Sequence, residues 1–159
     1  MLATMDHFRV LIVDDSLVIR GLLAKILDED AEIEVAAAVS SAESAEKILR
    51  SEAIDVVTLD EEMPITSGIE FLPTMRRFKI PTILLSGRAT VGSDLRGSAL
   101  LLGATACFDK ADAARGSAFL IQLVKSAGRG EVVLDAADLN ALERARKAAK
   151  VPDVMVRAE

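Results

Sequence analysis

VVTLDEEMP, Val56–Pro64, runs an apolar strand directly into three consecutive acids and a proline. Val56, Val57 and Leu59 favour burial, whereas Asp60, Glu61 and Glu62 need water or a counter-charge. A strand tip loaded in this way either reaches solvent or holds something cationic. A second stretch has the same form: RVLIV, Arg9–Val13, is a short buried-strand pattern that ends in Asp14-Asp15.

Outward from these two stretches, apolar runs and helical patterns alternate along the chain. Ile19, Leu22, Leu23, Ile26 and Leu27 share one face of a helix after the first strand, with Asp15 or Ser16 as its cap. IEVAAAV, Ile33–Val39, reads as a second strand. Ser40 with Glu43 makes a capping box that opens a helix through Arg50. VVTLD is the third strand. Ser67 with Glu70 makes another capping box, and Ile69, Leu72 and Met75 line the helix it opens. Pro73 removes a backbone donor there, so that helix is expected to be short or bent. TILLS, Thr82–Ser86, is the fourth strand. Leu95, Ala99 and Leu102 mark a fourth helix, closed by Gly103. ATACF, Ala104–Phe108, is the fifth strand, and Asp112 is placed to cap a fifth helix with Leu120, Leu123, Val124 and Ala127 inward. Nearly continuous apolar strands between amphipathic helices imply a parallel sheet covered on both faces. Right-handed crossovers then make it a doubly wound α/β sheet of five strands.

Gly128-Arg129-Gly130 breaks this pattern. Beyond it, Asp138 could cap a helix from Leu139 to about Lys150, with Leu139, Leu142, Ala145 and Ala149 on a narrow apolar stripe. Residues 129–159 carry six basic and six acidic side chains, so the net charge of −6 lies wholly within residues 1–128. The expected organisation is a domain over 1–128 followed by a linker or docking helix over 129–159.

Composition narrows the function. An apolar fraction of 51% in 159 residues supports a sizeable core. A net charge of −6 argues against nucleic acid, whose phosphates are bound by Lys and Arg. One cysteine excludes an internal disulfide and a multi-cysteine metal site. One histidine, His7, leaves no room for a histidine-based zinc site or a Ser-His-Asp triad. Arg9 follows closely on Met1-Leu2, which leaves no signal-peptide core, and no apolar run is long enough to span a bilayer, so the expected compartment is the cytoplasm.

Ligands of open α/β sheets bind beyond the carboxyl ends of the strands, where the strand order reverses. In a flavodoxin-like order 2-1-3-4-5, that reversal lies between strands one and three. Asp14 and Asp15 end strand one and Asp60 ends strand three, so three carboxylates converge on one crevice. Unneutralised, they would repel one another and raise at least one pKa. Oxygen-only ligands of this kind suit Mg2+. Ser86 ends strand four and Lys110 follows strand five. Two acids, a nucleophilic carboxylate, a hydroxyl and an ammonium are the parts that phosphoryl transfer requires. Asp60 would be the nucleophile and form an acyl phosphate, with Lys110 and Ser86 taking phosphoryl oxygens.

These residues resemble the receiver domain of two-component response regulators. VLIVDDS (Val10–Ser16), TLDEEMPITSGIEFL (Thr58–Leu72), PTILLS (Pro81–Ser86) and CFDK (Cys107–Lys110) carry the likeness, which covers about residues 8–127. TLDEEMP and GSDLRGSALLLGA (Gly92–Ala104) look closest to the receiver of chemotaxis protein-glutamate methylesterases. The resemblance implies that Asp60 is the phosphoacceptor, that Asp14 and Asp15 serve Mg2+, and that Glu62 offers the metal its backbone carbonyl. It makes Ser86 the switch hydroxyl and Lys110 the phosphate partner. The implied phosphoryl donor is a sensor histidine kinase or a phosphotransfer protein. The implied output surface, for an effector or a homodimer, is the face of helix four, strand five and helix five. No nucleic acid or membrane partner is implied.

Three departures stand out. No Gly-x-Ser-x-Gly elbow and no histidine follow Lys110, so methylesterase chemistry is not expected of these residues. They fit either a free-standing receiver or the regulatory fragment of a methylesterase. The family's switch aromatic is replaced by Cys107, read here as a small buried apolar residue, and the proline that often follows the lysine is Ala111. Glu62 and Arg88 could pair over the crevice and obstruct an attacking water. Glu61 and His7 read as surface residues. An aspartyl-phosphate phosphohydrolase is the alternative, with Glu62 where such enzymes carry an acid/base, but it lacks a downstream acidic pair.

Overall fold

A computed structural model describes residues 7–149. The residues read against a signal peptide at Met1-Leu2 and the expected helix end at Lys150 lie outside the described residues. Five parallel strands form one sheet in the order β2-β1-β3-β4-β5: β1 Phe8–Val13, β2 Ile33–Val39, β3 Val56–Asp60, β4 Thr82–Ser86 and β5 Ala106–Asp109. The helices are α1 Leu17–Asp28, α2 Ala42–Ser51, α3 Gly68–Phe78, α4 Asp94–Leu101, α5 Ser117–Gly128 and α6 Ala136–Ala149. None among the described residues is long and apolar enough to cross a membrane. The doubly wound sheet and its strand order are those expected from the sequence.

The period of two in the strands sorts their side chains between two cores. Leu11, Val13, Val57, Leu59, Leu84 and Cys107 pack with α2, α3 and α4. Val10, Ile12, Val56, Ile83, Leu85 and Phe108 pack with α1 and α5. Central-strand residues such as Leu11, Ile12 and Leu84 have no exposed surface. Each contributes about 1.5–3 kcal/mol by leaving water.

Most helix starts follow local chemistry. Ser16 caps α1, its Oγ accepting from the Ile19 amide at 3.3 Å. Ser67 caps α3 in the same way through Glu70 at 3.2 Å. Elsewhere the expected cap is off by a few residues. Ser41, not Ser40, caps α2 and bonds Ser44 N at 3.2 Å. Asp112 does not cap α5: it lies in a 3-10 turn, Lys110–Asp112, and α5 starts later, after Gly116 and with no side-chain cap. Asp135, not Asp138, caps α6, its Oδ1 accepting from Asp138 N at 2.8 Å. Pro73 neither shortens nor ends α3, which runs 11 residues because Phe71, Leu72 and Met75 anchor it in the core.

The expected stripe on α6 is also rotated. Leu139 and Ala149 are exposed, whereas Asp138 and Ala141 are buried and Leu142 packs on the core beside α4. The helix turns a carboxylate inward because a buried arginine of α4 receives it, as described below.

One close approach fixes the loop between β3 and α3. Gly68 N donates to Glu61 O at 2.9 Å. A Cβ on Gly68 would run into the Asp60 carbonyl oxygen and the Glu61 Cα. Gly68→Ala is expected to cost about 1–3 kcal/mol through overpacking, read as a lower urea midpoint at unchanged slope.

A second tie spans the opposite face. Lys125 Nζ on α5 lies 2.9 Å from Asp30 Oδ2, in the turn between α1 and β2. The hydrogen bond from Lys125 holds Asp30 below its ordinary value of 3.8. A carboxyl pKa depressed by folding adds stability above the unfolded value, and that gain fades as pH falls through the lower native value. Lys125→Met is therefore expected to destabilise by about 0.5–1 kcal/mol at neutral pH. The gap to wild type should shrink below about pH 4, as measured by urea unfolding on both sides of that pH.

Candidate functional site

The carboxyl ends of β1 and β3 lie side by side, with Val13 opposite Leu59. This register brings Asp14 and Asp60 together beyond the last paired residues. Both side chains are about 1% exposed, so two carboxylates are removed from water at one point. Asp14 is fixed by Ser16 N, which donates to its Oδ1 at 2.9 Å, and by Arg20, whose guanidinium donates to its backbone oxygen at 2.8 Å. Asp60 Oδ1 accepts from Glu62 N at 3.1 Å. Asp15 is exposed at the mouth. One carboxylate oxygen from each of Asp14, Asp15 and Asp60 falls within 4.8 Å of the others.

Lys110 meets this cluster from the other side of the sheet. β5 ends at Asp109, whose side chain caps the 3-10 turn by accepting from Ala111 N at 3.0 Å. The turn directs Lys110 inward, with Nζ 2.8 Å from Asp60 Oδ1 and 2.9 Å from Asp14 Oδ2. Burial works against this ammonium, yet the two carboxylates outweigh it and hold its pKa above the ordinary lysine value. The pKa of Asp60 also rises, which for a carboxyl favours the neutral form. Loss of water pushes it up to about 6, against the pull of Lys110 and the Glu62 amide, and the Asp14 charge adds to the rise.

Ser86 ends β4 with no exposed surface, and its Oγ accepts from Arg88 N at 3.0 Å. All of the expected residues on strands one, three, four and five therefore sit at the same end of the sheet. The side chain of Glu62 is exposed.

Glu61 is the correction. It was expected to be a solvated surface charge, and it is buried at about 7% exposure. Its backbone extends the sheet, N donating to Leu85 O at 2.9 Å. Its Oε1 receives Arg88 Nη2 at 2.9 Å, while Glu62 Oε1 lies 3.6 Å from Arg88 Nε. Arg88 thus bridges both acids, and the tighter contact is to Glu61. Strand alternation carried the signal: residue 61 shares the face of Leu59 if β3 keeps its period for two more residues.

The cluster suits a hard cation. Asp60 Oδ2 is buried without a hydrogen-bond partner. The donors around it are all oxygens, of the kind preferred by Mg2+ and Ca2+. Asp14, Asp15 and Asp60 are the described residues that could hold such an ion.

Comparison with known proteins agrees with this geometry. Residues 10–121 match the response regulator receiver domain family. A protein-glutamate methylesterase/protein-glutamine glutaminase of Burkholderia thailandensis is 41% identical over 147 residues, covering 86% of this chain and 42% of that protein. One from Rhodospirillum centenum is 38% identical over 112 residues, covering 69% of this chain and 28% of that protein. The chain thus spans less than half the length of these relatives. The crystal structure of the response regulator domain of Thermotoga maritima CheB superposes with a TM-score of 0.71 at 28% identity, covering 77% of this chain and 97% of that one. A sheet in the order 2-1-3-4-5, acids at the ends of β1 and β3, and a match over residues 10–121 place this chain in the response regulator receiver family.

Proposed function

We propose that Asp60 is the phosphoacceptor of a chemotaxis-type receiver, and that a sensor histidine kinase or a phosphotransfer protein supplies the phosphoryl group. The observation that carries this reading is the buried Asp60 carboxylate, with one oxygen on Lys110 and the other unpartnered. Oδ2 is the nucleophile. It attacks the phosphorus of a phosphohistidine, the P–N bond breaks with its electrons returning to the imidazole, and an acyl phosphate forms on Asp60. Lys110 keeps one charge-assisted contact on the reacting group as negative charge builds on the phosphoryl oxygens. Ser86 turns its hydroxyl to another of those oxygens, giving up its bond with Arg88 N. Mg2+ held by Asp14, Asp15, Asp60 and the Glu62 carbonyl would neutralise the carboxylates and draw charge from the phosphoryl group.

The donor must reach a narrow crevice. Leu17 and Val18, directly after the Asp15-Ser16 corner, are 75% and 77% exposed, and Ile65 in the β3–α3 loop is fully exposed. Exposed apolar side chains on both segments leading from the site suit docking of an amphipathic helical partner. The face of α4, β5 and α5 is where an effector or a second copy would read the switch. Phosphorylation adds negative charge and acceptor oxygens at Asp60, and β4 carries the response of Ser86 into the segment that leads to α4.

Arg88 sets the lifetime of the acyl phosphate. Its guanidinium, held by Glu61 and near Glu62, would obstruct a hydrolytic water approaching the acyl phosphate.

Incubation with acetyl phosphate and Mg2+ is expected to add one phosphoryl mass to the wild type and none to Asp60→Asn, by intact mass spectrometry. Equal uptake by Asp60→Asn would overturn the assignment. Arg88→Ala is expected to shorten the phosphoryl lifetime about three- to tenfold, a change of about 1 kcal/mol in barrier; an unchanged decay rate would remove Arg88 from this role.

A further inference from the structure

Helix α6 lies across α4, and the contact is built rather than incidental. Gly97 sits in the middle of α4, where a glycine destabilises a helix relative to alanine. A Cβ there would run into the carbonyl of Ala141 on α6, and Ala141 itself is about 1% exposed. The two helices therefore touch backbone to backbone. One residue earlier, Arg96 is buried beneath α6. Its Nη1 donates to Asp138 Oδ1 of α6 at 3.1 Å, and its Nε and Nη2 both donate to Ala89 O, at 3.2 and 2.9 Å. Farther along α6, Arg144 donates to Gly92 O at 2.6 Å.

Ala89 and Gly92 belong to the segment that follows Ser86. Ala89 N donates to Ser86 O at 3.4 Å, and Arg88 N donates to the Ser86 hydroxyl. Arg144 of α6 thus holds Gly92 O directly, and Asp138 of α6 steadies the α4 arginine that holds Ala89 O; both carbonyls lie in the segment that must move if Ser86 turns toward a phosphoryl group. Moving Ala89 O breaks the fork of Arg96, and Arg96 is the cation that makes burial of Asp138 tolerable.

We propose that α6 is an intramolecular brake: docked on α4 it holds residues 87–93 in the unphosphorylated arrangement, so that its release and phosphorylation of Asp60 favour each other. This rests on the phosphoacceptor reading above and adds to it the partner that occupies α4. The coupling is reciprocal, since a group that prefers the released state must be bound more tightly once α6 is loosened.

Cys107 supplies a reporter. It lies under α4 with Sγ 3.9 Å from Arg96 O, and burial pushes its thiol up to about 12. The thiolate needed for disulfide exchange is scarce while the helices are closed.

The test uses the full chain with Mg2+ and beryllium fluoride as the phosphoryl mimic. Mimic binding is expected to speed amide hydrogen exchange across residues 136–149 and the reaction of Cys107 with an aromatic disulfide reagent, each by about fivefold or more. Asp138→Asn and Ala141→Leu are expected to loosen α6 without the mimic and to take phosphate from acetyl phosphate at least about fivefold faster. Asn140→Ala, on the exposed face of α6, should match wild type. Wild type that binds the mimic with α6 exchange unchanged overturns the brake alone. Loosened variants that phosphorylate at the wild-type rate do the same. Wild type that takes neither mimic nor phosphoryl group overturns the brake and the phosphoacceptor reading together. The wild-type exchange measurement decides the question even if a variant fails to fold.

Discussion

The bridge from Lys110 to Asp14 and Asp60 is the interaction on which the arrangement depends. Two carboxylates about 1% exposed and gathered at one sheet edge would expel each other or take up protons. One ammonium within 2.8–2.9 Å of both keeps them together. Its position is fixed by distant parts of the chain: β1 delivers one acid, β3 the other, and a 3-10 turn after β5 delivers the cation. The lysine does not complete the site, because Asp60 Oδ2 stays buried without a partner. The folded chain therefore holds a carboxylate that is positioned and incompletely neutralised, which is the state a nucleophile toward phosphorus requires.

The architecture was legible because each strand is a continuous apolar run whose end is punctuated by a polar residue. Val10–Val13 ending at Asp14 and Val56–Leu59 ending at Asp60 specify both burial and the place where burial stops. Ser86 and Lys110 could be aligned with them because parallel strands put all their carboxyl ends at one edge. Helix caps were less legible. Ser40 and Ser41 are both serines, and Asp135 and Asp138 are both aspartates, so composition offers two equivalent caps within a turn and packing chooses between them. On α2 the choice falls on Ser41, with Ala42 and Ala45 buried; on α6 it falls on Asp135, which frees Asp138 to meet Arg96.

Glu61, Arg96 and Gly97 were missed for a common reason. Each is a residue type that belongs on the surface or in a turn, and each is buried by a partner far away in the chain. Glu61 is buried because Arg88 receives it, Arg96 because Asp138 does, and Gly97 because Ala141 comes too close for any side chain. Apolar periodicity cannot register such pairs, since the residue to be placed is not itself apolar and its partner lies far along the chain, 42 residues away for Arg96 and Asp138. The signal that was present is negative: an acid on the inward phase of a strand and a glycine inside a helix are choices that cost stability unless something compensates them.

All three pairs converge on residues 86–97, and the forces holding that segment differ from those holding the sheet. β1, β3 and β4 are locked by side chains with no exposed surface, and displacing any one of them would forfeit several kcal/mol. Residues 87–93 bury only the methyl of Ala89; Gly87, Arg88, Thr90 and Val91 are exposed. What fixes them is a set of polar contacts: Ser86 Oγ with Arg88 N, Arg88 with Glu61, Ala89 O with Arg96, and Gly92 O with Arg144. Net contributions of such bonds are about 1 kcal/mol each, and polar groups at a surface can exchange one partner for another. The chain thus places a rigid apolar frame under the carboxylates and a segment held by exchangeable bonds beside them. Charge added at Asp60 would leave the frame intact and act first on this stretch, whose bonds are the more easily exchanged, and Arg144 of α6 holds its far end at Gly92 O.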